Sequence, residues 1–143
     1  MKKCFLTILV LLLAVTALAG PQRLAVKVSA ANVRSGPGDQ YETIWQVGMY
    51  HPLQITEKKG EWLRFIDSEK DEGWIHQSLV ANIPSVVTIS DKCNIRSGPD
   101  AHQTVAFTAE KGVPFKVLER KKEWIHVEHQ DGEKGWIHQS LVW

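Results

Sequence analysis

Gly73 to Val80 read GWIHQSLV, and Gly135 to Val142 read the same eight residues without a change. A chain that carries one block twice has laid down one folding unit twice. At the implied offset of 62, Asn32-Val33-Arg34-Ser35-Gly36-Pro37 meets Asn94-Ile95-Arg96-Ser97-Gly98-Pro99, Pro52 meets Pro114, and Trp62 meets Trp124. Between the Pro pairs the register is expected to break, with an extra residue after the first turn (Gly38) and one more before Pro114, which puts His102 near the counterpart of Tyr41. A period of about 60 residues is too long for a solenoid repeat and suits a small autonomous domain. The expected organisation is residues 24–81 and 86–143 as two domains in tandem, with 82–85 as a short linker holding one Pro.

Ahead of the first copy, Lys2 and Lys3 precede an apolar run from Phe5 to Leu18, and Ala17-Leu18-Ala19 supplies small residues where a signal peptidase reads. Residues 1–19 are therefore expected to be a cleaved signal peptide, and the mature protein to be exported, periplasmic or extracellular. No Cys follows the small residues, so no lipid anchor is expected. Loss of Lys2 and Lys3 from 17 Lys and Arg leaves 15 against 16 Asp and Glu. That balance gives no basic surface for nucleic acid and no polybasic patch for a membrane. The mixed charge clusters, Glu57 to Glu61, Glu119 to Glu123 and Asp67 to Glu72, have the composition of solvated hairpin loops. Cys93 is the only cysteine left after cleavage, so each unit must hold together through its core, with Cys93 expected to be small and buried like Ala31, and an intermolecular disulfide as the alternative.

Within each copy, short β-type runs are separated by turn residues: Leu24 to Val28, Ile44 to Val47, Leu53 to Glu57, Trp62 to Ile66 and Trp74 to His76 in the first. No window keeps a 3.6-residue apolar period. Five short strands in about 55 residues predict an all-β fold of two small, strongly bent barrels. Side chains alternate across a strand, so Leu63 and Phe65 face one side and Trp62 and Arg64 the other. The aliphatic side must be the core. The same parity sends Ile75 inward with Trp74 and His76 outward, and Ile125, Val127 and Ile137 inward with Trp124, His126, Trp136 and His138 outward. Outward indoles combine apolar area with an N–H donor, which suits a shallow site for peptides or sugars. The alternative is that they close the barrel ends or pack between the two units.

NVRSGPG followed by a Tyr, a Trp strand and GWI before a final Val resembles the bacterial SH3 (SH3b) family over almost the whole mature chain. The resemblance implies two SH3-like five-stranded barrels. It also implies grooves lined by Trp62, Trp74, His76, Leu79 and Tyr41 in the first unit, and by Trp124, Trp136, His138 and Leu141 in the second. Where related eukaryotic domains carry Pro and Tyr, this chain has His76 and Leu79, so proline-rich ligands are not implied. The ligand class the resemblance implies is cell-wall peptidoglycan or its stem peptides; the alternative is an adaptor that binds a protein partner through the same faces. Asn32, Arg34, Gly36 and Pro37, with Asn94, Arg96, Gly98 and Pro99, are expected to hold the turn, Asn through local backbone hydrogen bonds and Arg through a carboxylate or carbonyl.

Catalysis is not expected. The six histidines do not make a metal set: His126 and His129 fall on opposite faces of one strand, and no Cys or carboxylate pair completes a tetrahedron. Neither a Cys-His nor a Ser-His-Asp constellation is supported, and no metal or cofactor is expected.

Overall fold

The computed structural model describes residues 22–143; the expected signal peptide lies outside the described residues. These form strands throughout, with two short 3-10 turns. In the first unit the strands are β1 (Gln22–Val26), β2 (Ala30–Arg34), β3 (Thr43–Gly48), β4 (Pro52–Lys59), β5 (Trp62–Ile66), β6 (Glu72–His76) and β7 (Val80–Ala81). They make one antiparallel sheet in the order β3-β2-β6-β5-β4-β1-β7. The second unit has β8 (Ser85–Val87), β9 (Cys93–Arg96), β10 (Val105–Ala109), β11 (Pro114–Lys121), β12 (Trp124–Glu128) and β13 (Lys134–His138), in the order β10-β9-β13-β12-β11-β8. Among the described residues no helix is long and apolar enough to cross a membrane.

Beyond the five expected strands, each unit contains one that was read as a turn, β2 and β9. In these strands Val33 and Ile95 are fully buried, while Asn32 and Arg34 alternate to the outside. Asn32 accordingly does not bond its local backbone: its Oδ1 accepts a hydrogen bond at 2.7 Å from Gln46 Nε2 on the neighbouring strand.

The expected break in register is absent. Asn32 pairs with Gln46 and Asn94 with Thr108, Val33 with Trp45 and Ile95 with Phe107, all at the offset of 62. Arg34 donates to the Tyr41 carbonyl at 2.9 Å and Arg96 to that of Gln103 at 3.0 Å. The counterpart of Tyr41 is therefore Gln103, not His102. The turns hide this in the sequence because their geometry needs a backbone shape more than a particular side chain. Three positions with positive φ show the same: Tyr50 (68°) matches Gly112 (86°), Gly60 (59°) matches Lys122 (55°), and Lys70 (69°) matches Gly132 (95°). In each pair one copy uses Gly, which takes this conformation freely, and the other a side chain that does so at a cost. Gly60→Val is expected to lower unfolding free energy by about 1–2 kcal/mol, because a β-branched residue is strained there. Lys122→Gly should lower it not at all. Urea denaturation of the two variants checks both.

The cores sit where the alternation puts them. Val26, Ala31, Val33, Leu53, Leu63, Phe65 and Ile75 cluster in the first, and Cys93, Ile95, Phe115, Ile125, Val127 and Ile137 in the second. Cys93 is fully buried, and burial pushes its thiol up from the ordinary range, so it fills space as Ala31 does.

The two units touch through polar contacts. Arg23 Nη2 donates to the Ser85 carbonyl at 3.2 Å and to a main-chain oxygen of Trp143 at 2.7 Å, and Lys111 pairs with Glu69 at 3.6 Å. His51 lines a cleft of about 570 Å³ together with Asp67 and Glu69 of its own unit and Thr88, Pro114 and Gln130 of the other. Burial pulls the His51 imidazole below its ordinary value of 6.5, against the opposing pull of Asp67 and Glu69. A lowered value means that the unfolded chain binds the proton more tightly, so this contribution to stability is complete above about pH 6.5 and is lost as pH falls below it. The counterpart of His51 is Val113. His51→Val should flatten the fall of melting temperature between pH 7 and pH 5, which scanning calorimetry across that range measures.

Candidate functional site

Each residue of GWIHQSLV has a local task. A Cβ at Gly73 would overlap the Val33 side chain, and one at Gly135 would overlap Ile95 and come within 3.0 Å of the Arg96 carbonyl oxygen, so only Gly lets β6 and β13 pass. Ile75 and Ile137 are fully buried. After the strand the chain turns through a 3-10 segment, Gln77–Leu79 or Gln139–Leu141, whose first residue is tied back by Gln77 N–H to the Glu61 carbonyl (2.8 Å) and Gln139 N–H to that of Glu123 (2.9 Å). Leu79 and Leu141 pack partly buried against the cores.

The histidines cap that turn. Nδ1 of His76 accepts the backbone N–H of Ser78 at 3.2 Å and lies 2.7 Å from its hydroxyl. An Nδ1 that accepts an N–H bears no proton, so the hydroxyl also donates to it, and Nε2 carries the ring N–H toward Glu61 Oε2 at 3.2 Å. His138 repeats this with Ser140 at 3.2 and 2.7 Å and Glu123 at 3.4 Å. The outward histidines are thus not free donors: both ring nitrogens are engaged, and the ring is held edge-on to an indole. The Trp62–His76 and Trp124–His138 centroids lie 5.2 Å apart at 88° and 84°.

The four outward indoles divide into two kinds. Trp74 and Trp136 lie outside the core clusters, as parity requires, yet each is only 8% exposed, so the expectation that they stand open to a ligand is corrected. The reason is cross-strand cover. His126, paired with Trp136, stacks on it at 4.7 Å and 9°, and the Lys121 ammonium lies 5.6 Å from the indole. Arg64 is the cross-strand neighbour of Trp74, and the Lys59 ammonium lies 5.8 Å from that ring. Alternation along a strand assigns a face; it cannot see the neighbouring strand's side chain lying over that face. These partners all come from the same unit as the indole they cover.

Trp62 and Trp124 are half-buried. In the second unit Trp124 and His138 form the shared wall of two adjoining clefts. One, of about 440 Å³, is completed by Pro99, Asp100, Ala101, Lys122 and Glu123. The other, of about 380 Å³, is completed by Lys92, Asn94, Arg96, Ala101 and Leu141. Trp136 lines neither. Asn94, Arg96 and Pro99, expected only to hold the turn, therefore also border the clefts, and Lys92, Asp100, Ala101, Lys122 and Glu123 were missed. Their single signal in the sequence was position: turns flanking a half-buried indole. Arg34 and Arg96 still perform the turn task, donating to carbonyls across it. Tyr41 is 41% exposed and lies over Gly36, where a Cβ would overlap its ring; Gln103 covers Gly98 in the same way at 3.0 Å. Among the described residues no group of three or more His, Cys, Asp or Glu could hold a metal ion.

A family model described as Bacterial SH3 domain matches residues 27–82 and 90–143. A stretch of 52 residues is 42% identical to the Probable cell wall amidase LytH of Staphylococcus epidermidis, covering 36% of this chain and 18% of that protein. Over 65 residues the chain is 29% identical to the Putative N-acetylmuramoyl-L-alanine amidase YrvJ of Bacillus subtilis, covering 46% and 12%. The chain thus spans less than a fifth of the length of these relatives. Among solved structures, an NlpC/P60 family protein from Bacillus cereus aligns with a TM-score of 0.41 at 13% identity, over 85% of this chain and 56% of that one.

Proposed function

Because the chain belongs to the bacterial SH3 domain family, we propose that it is an exported, non-catalytic pair of SH3b modules that binds cell-wall peptidoglycan through its stem peptides. The observation that carries the reading is the pair of clefts sharing Trp124 and His138. A half-buried indole beside a Pro and an Ala offers an apolar seat, and the mixed charges of the lining, Lys92, Arg96 and Lys122 with Asp100 and Glu123, suit a peptide that carries both carboxylates and an amine. The match to two cell wall amidases supports the ligand class. Trp62 and His76 stand at the same offset in the first unit and form the same edge-on pair. Tyr41 lies over Gly36 in the first unit and Gln103 over Gly98 in the second, so the two units differ beside the turn.

The decisive experiment is co-sedimentation of the chain with purified sacculi. Saturable pelleting that is lost on replacing Trp62 and Trp124 together supports the reading. Failure of the unaltered chain to pellet overturns it in favour of an adaptor with a protein partner.

A further inference from the structure

The cleft of about 570 Å³ between the two units shares no lining residue with the Trp124 clefts, and its lining holds neither Lys nor Arg. Three carboxylates border it, Asp67, Glu69 and Asp71, beside the half-buried Trp45 indole and His51. Glu69 is met by the Lys111 ammonium of the other unit at 3.6 Å. Asp67 is built differently, because its side chain is not on the surface: the residue is only 8% exposed. Its Oδ1 accepts the backbone N–H groups of Glu69 and Asp71, both at 2.9 Å, whereas Oδ2 accepts no hydrogen bond from the described residues. A carboxylate buried to this degree normally has both oxygens matched. Here the unmatched one belongs to the wall of a cleft.

The second unit shows what a completed version of this place looks like. At the offset of 62 its cleft of about 250 Å³ repeats the aromatic and two of the carboxylates, with Phe107, Asp131 and Glu133 standing for Trp45, Glu69 and Asp71. At the position of Asp67 it has His129, whose Nδ1 lies 3.0 Å from Asp131 Oδ1. The second unit thus pairs its groups internally, and the first leaves a carboxylate oxygen open.

We propose that the cleft between the units binds an organic ammonium group, a primary amine on an aliphatic stem, with Asp67 Oδ2 as its anchor. An ammonium has three donors and no acceptor, so it suits an open carboxylate oxygen with further carboxylates near by. The Trp45 indole gives the stem an apolar wall. Among the described residues no three of His, Cys, Asp and Glu stand close enough to hold a metal ion, so the cation that fits this wall is one that brings an apolar body with it. Since Thr88, Pro114 and Gln130 close the far side, occupancy would also bear on how the two units are held.

The test uses the chain labelled with nitrogen-15 near neutral pH and follows by NMR the amide N–H groups of Glu69 and Asp71, which rest on Asp67 Oδ1. Nα-acetyl-lysine methylamide and alanine methylamide are titrated separately at constant ionic strength. Sodium chloride and Nα-acetyl-norleucine methylamide, which keeps the aliphatic stem and lacks the amine, serve as controls. The expected result is a saturable shift with one or both amines beyond the controls; which of them saturates tells a side-chain amine from a chain-terminal one. The equivalent amides of Asp131 and Glu133 should stay still, and equal shifts there would overturn the assignment to Asp67. Asp67→Asn keeps an acceptor for both backbone N–H groups and replaces the open oxygen with an N–H donor, so the apparent Kd should rise about tenfold or more. Asp71→Asn, on an exposed side chain, should raise it about threefold. No saturable shift with either amine, or an unchanged Kd in Asp67→Asn, overturns the proposal; if that variant gives no folded amide spectrum, an unchanged Kd in Asp71→Asn does so. The probes contain no peptidoglycan and sacculus binding is read through Trp62 and Trp124, so either proposal can fail while the other stands.

Discussion

Replacing Phe65 or Phe115 with Ala should lower unfolding free energy by about 3–5 kcal/mol, enough to leave that unit largely unfolded at 25 °C. Both rings are fully buried, and both are the largest side chains of their clusters. The two do not occupy equivalent positions: at the offset of 62, Phe65 on β5 matches Val127 and Phe115 on β11 matches Leu53. Each barrel is filled by one Phe and one aliphatic side chain with their places exchanged. Each ring meets an aromatic on the third strand of its own sheet, Trp45 at 6.2 Å and 83° from Phe65, and Phe107 at 6.2 Å and 41° from Phe115. Loss of the ring removes its transfer energy and leaves a cavity that a core of this size cannot close. Guanidinium denaturation followed by amide NMR should show the altered unit's resonances lost at lower denaturant than the other's. Equal stability of both variants and the unaltered chain would refute the assignment of these rings to the cores.

The second large effect concerns binding. Trp124→Ala is expected to weaken sacculus binding by about 30-fold or more if the indole is the anchor of the site, since a central aromatic anchor is worth roughly 2 kcal/mol or more. Trp62→Ala together with Trp124→Ala should abolish it. By contrast, Trp136→Ala should act mainly on stability, because that indole is 8% exposed beneath His126 and lines neither of the Trp124 clefts. The informative comparison is therefore between Trp124 and Trp136 in one co-sedimentation series, with thermal melts of each variant. Should Trp136→Ala reduce binding while keeping the melting temperature, and Trp124→Ala leave both unchanged, the anchor has been placed on the wrong indole.

Much of the fold could be read from the chain because the signal is local. Alternation at Leu63 and Phe65 sorts inside from outside one residue at a time, and burial in β5 and β12 follows it step for step. The strands β2 and β9 escaped notice because Asn and Arg at alternate positions, next to Ser-Gly-Pro, have the composition of a turn; what makes them strands is pairing with β3 and β10. The site was less legible. Alternation placed Trp62, His76, Trp124 and His138 on outward faces, and only the structure shows Trp62 and His76, and Trp124 and His138, meeting edge-on; the histidines are spent on capping, and the clefts draw on Pro99, Ala101 and Lys122 from turns elsewhere in the chain.

GWIHQSLV by itself determined the duplication, the parity of its strand and, with the rest of each copy, membership of the family. Its exact repetition has a structural cause: Gly73 for lack of space, Ile75 for the core, His76 and Ser78 for the cap, Leu79 and Val80 for packing. What only the tertiary structure decided is which outward indole is covered and which borders a cleft. Exposure depends on the side chain that the neighbouring strand or turn lays across a face, and no spacing within one strand records that neighbour.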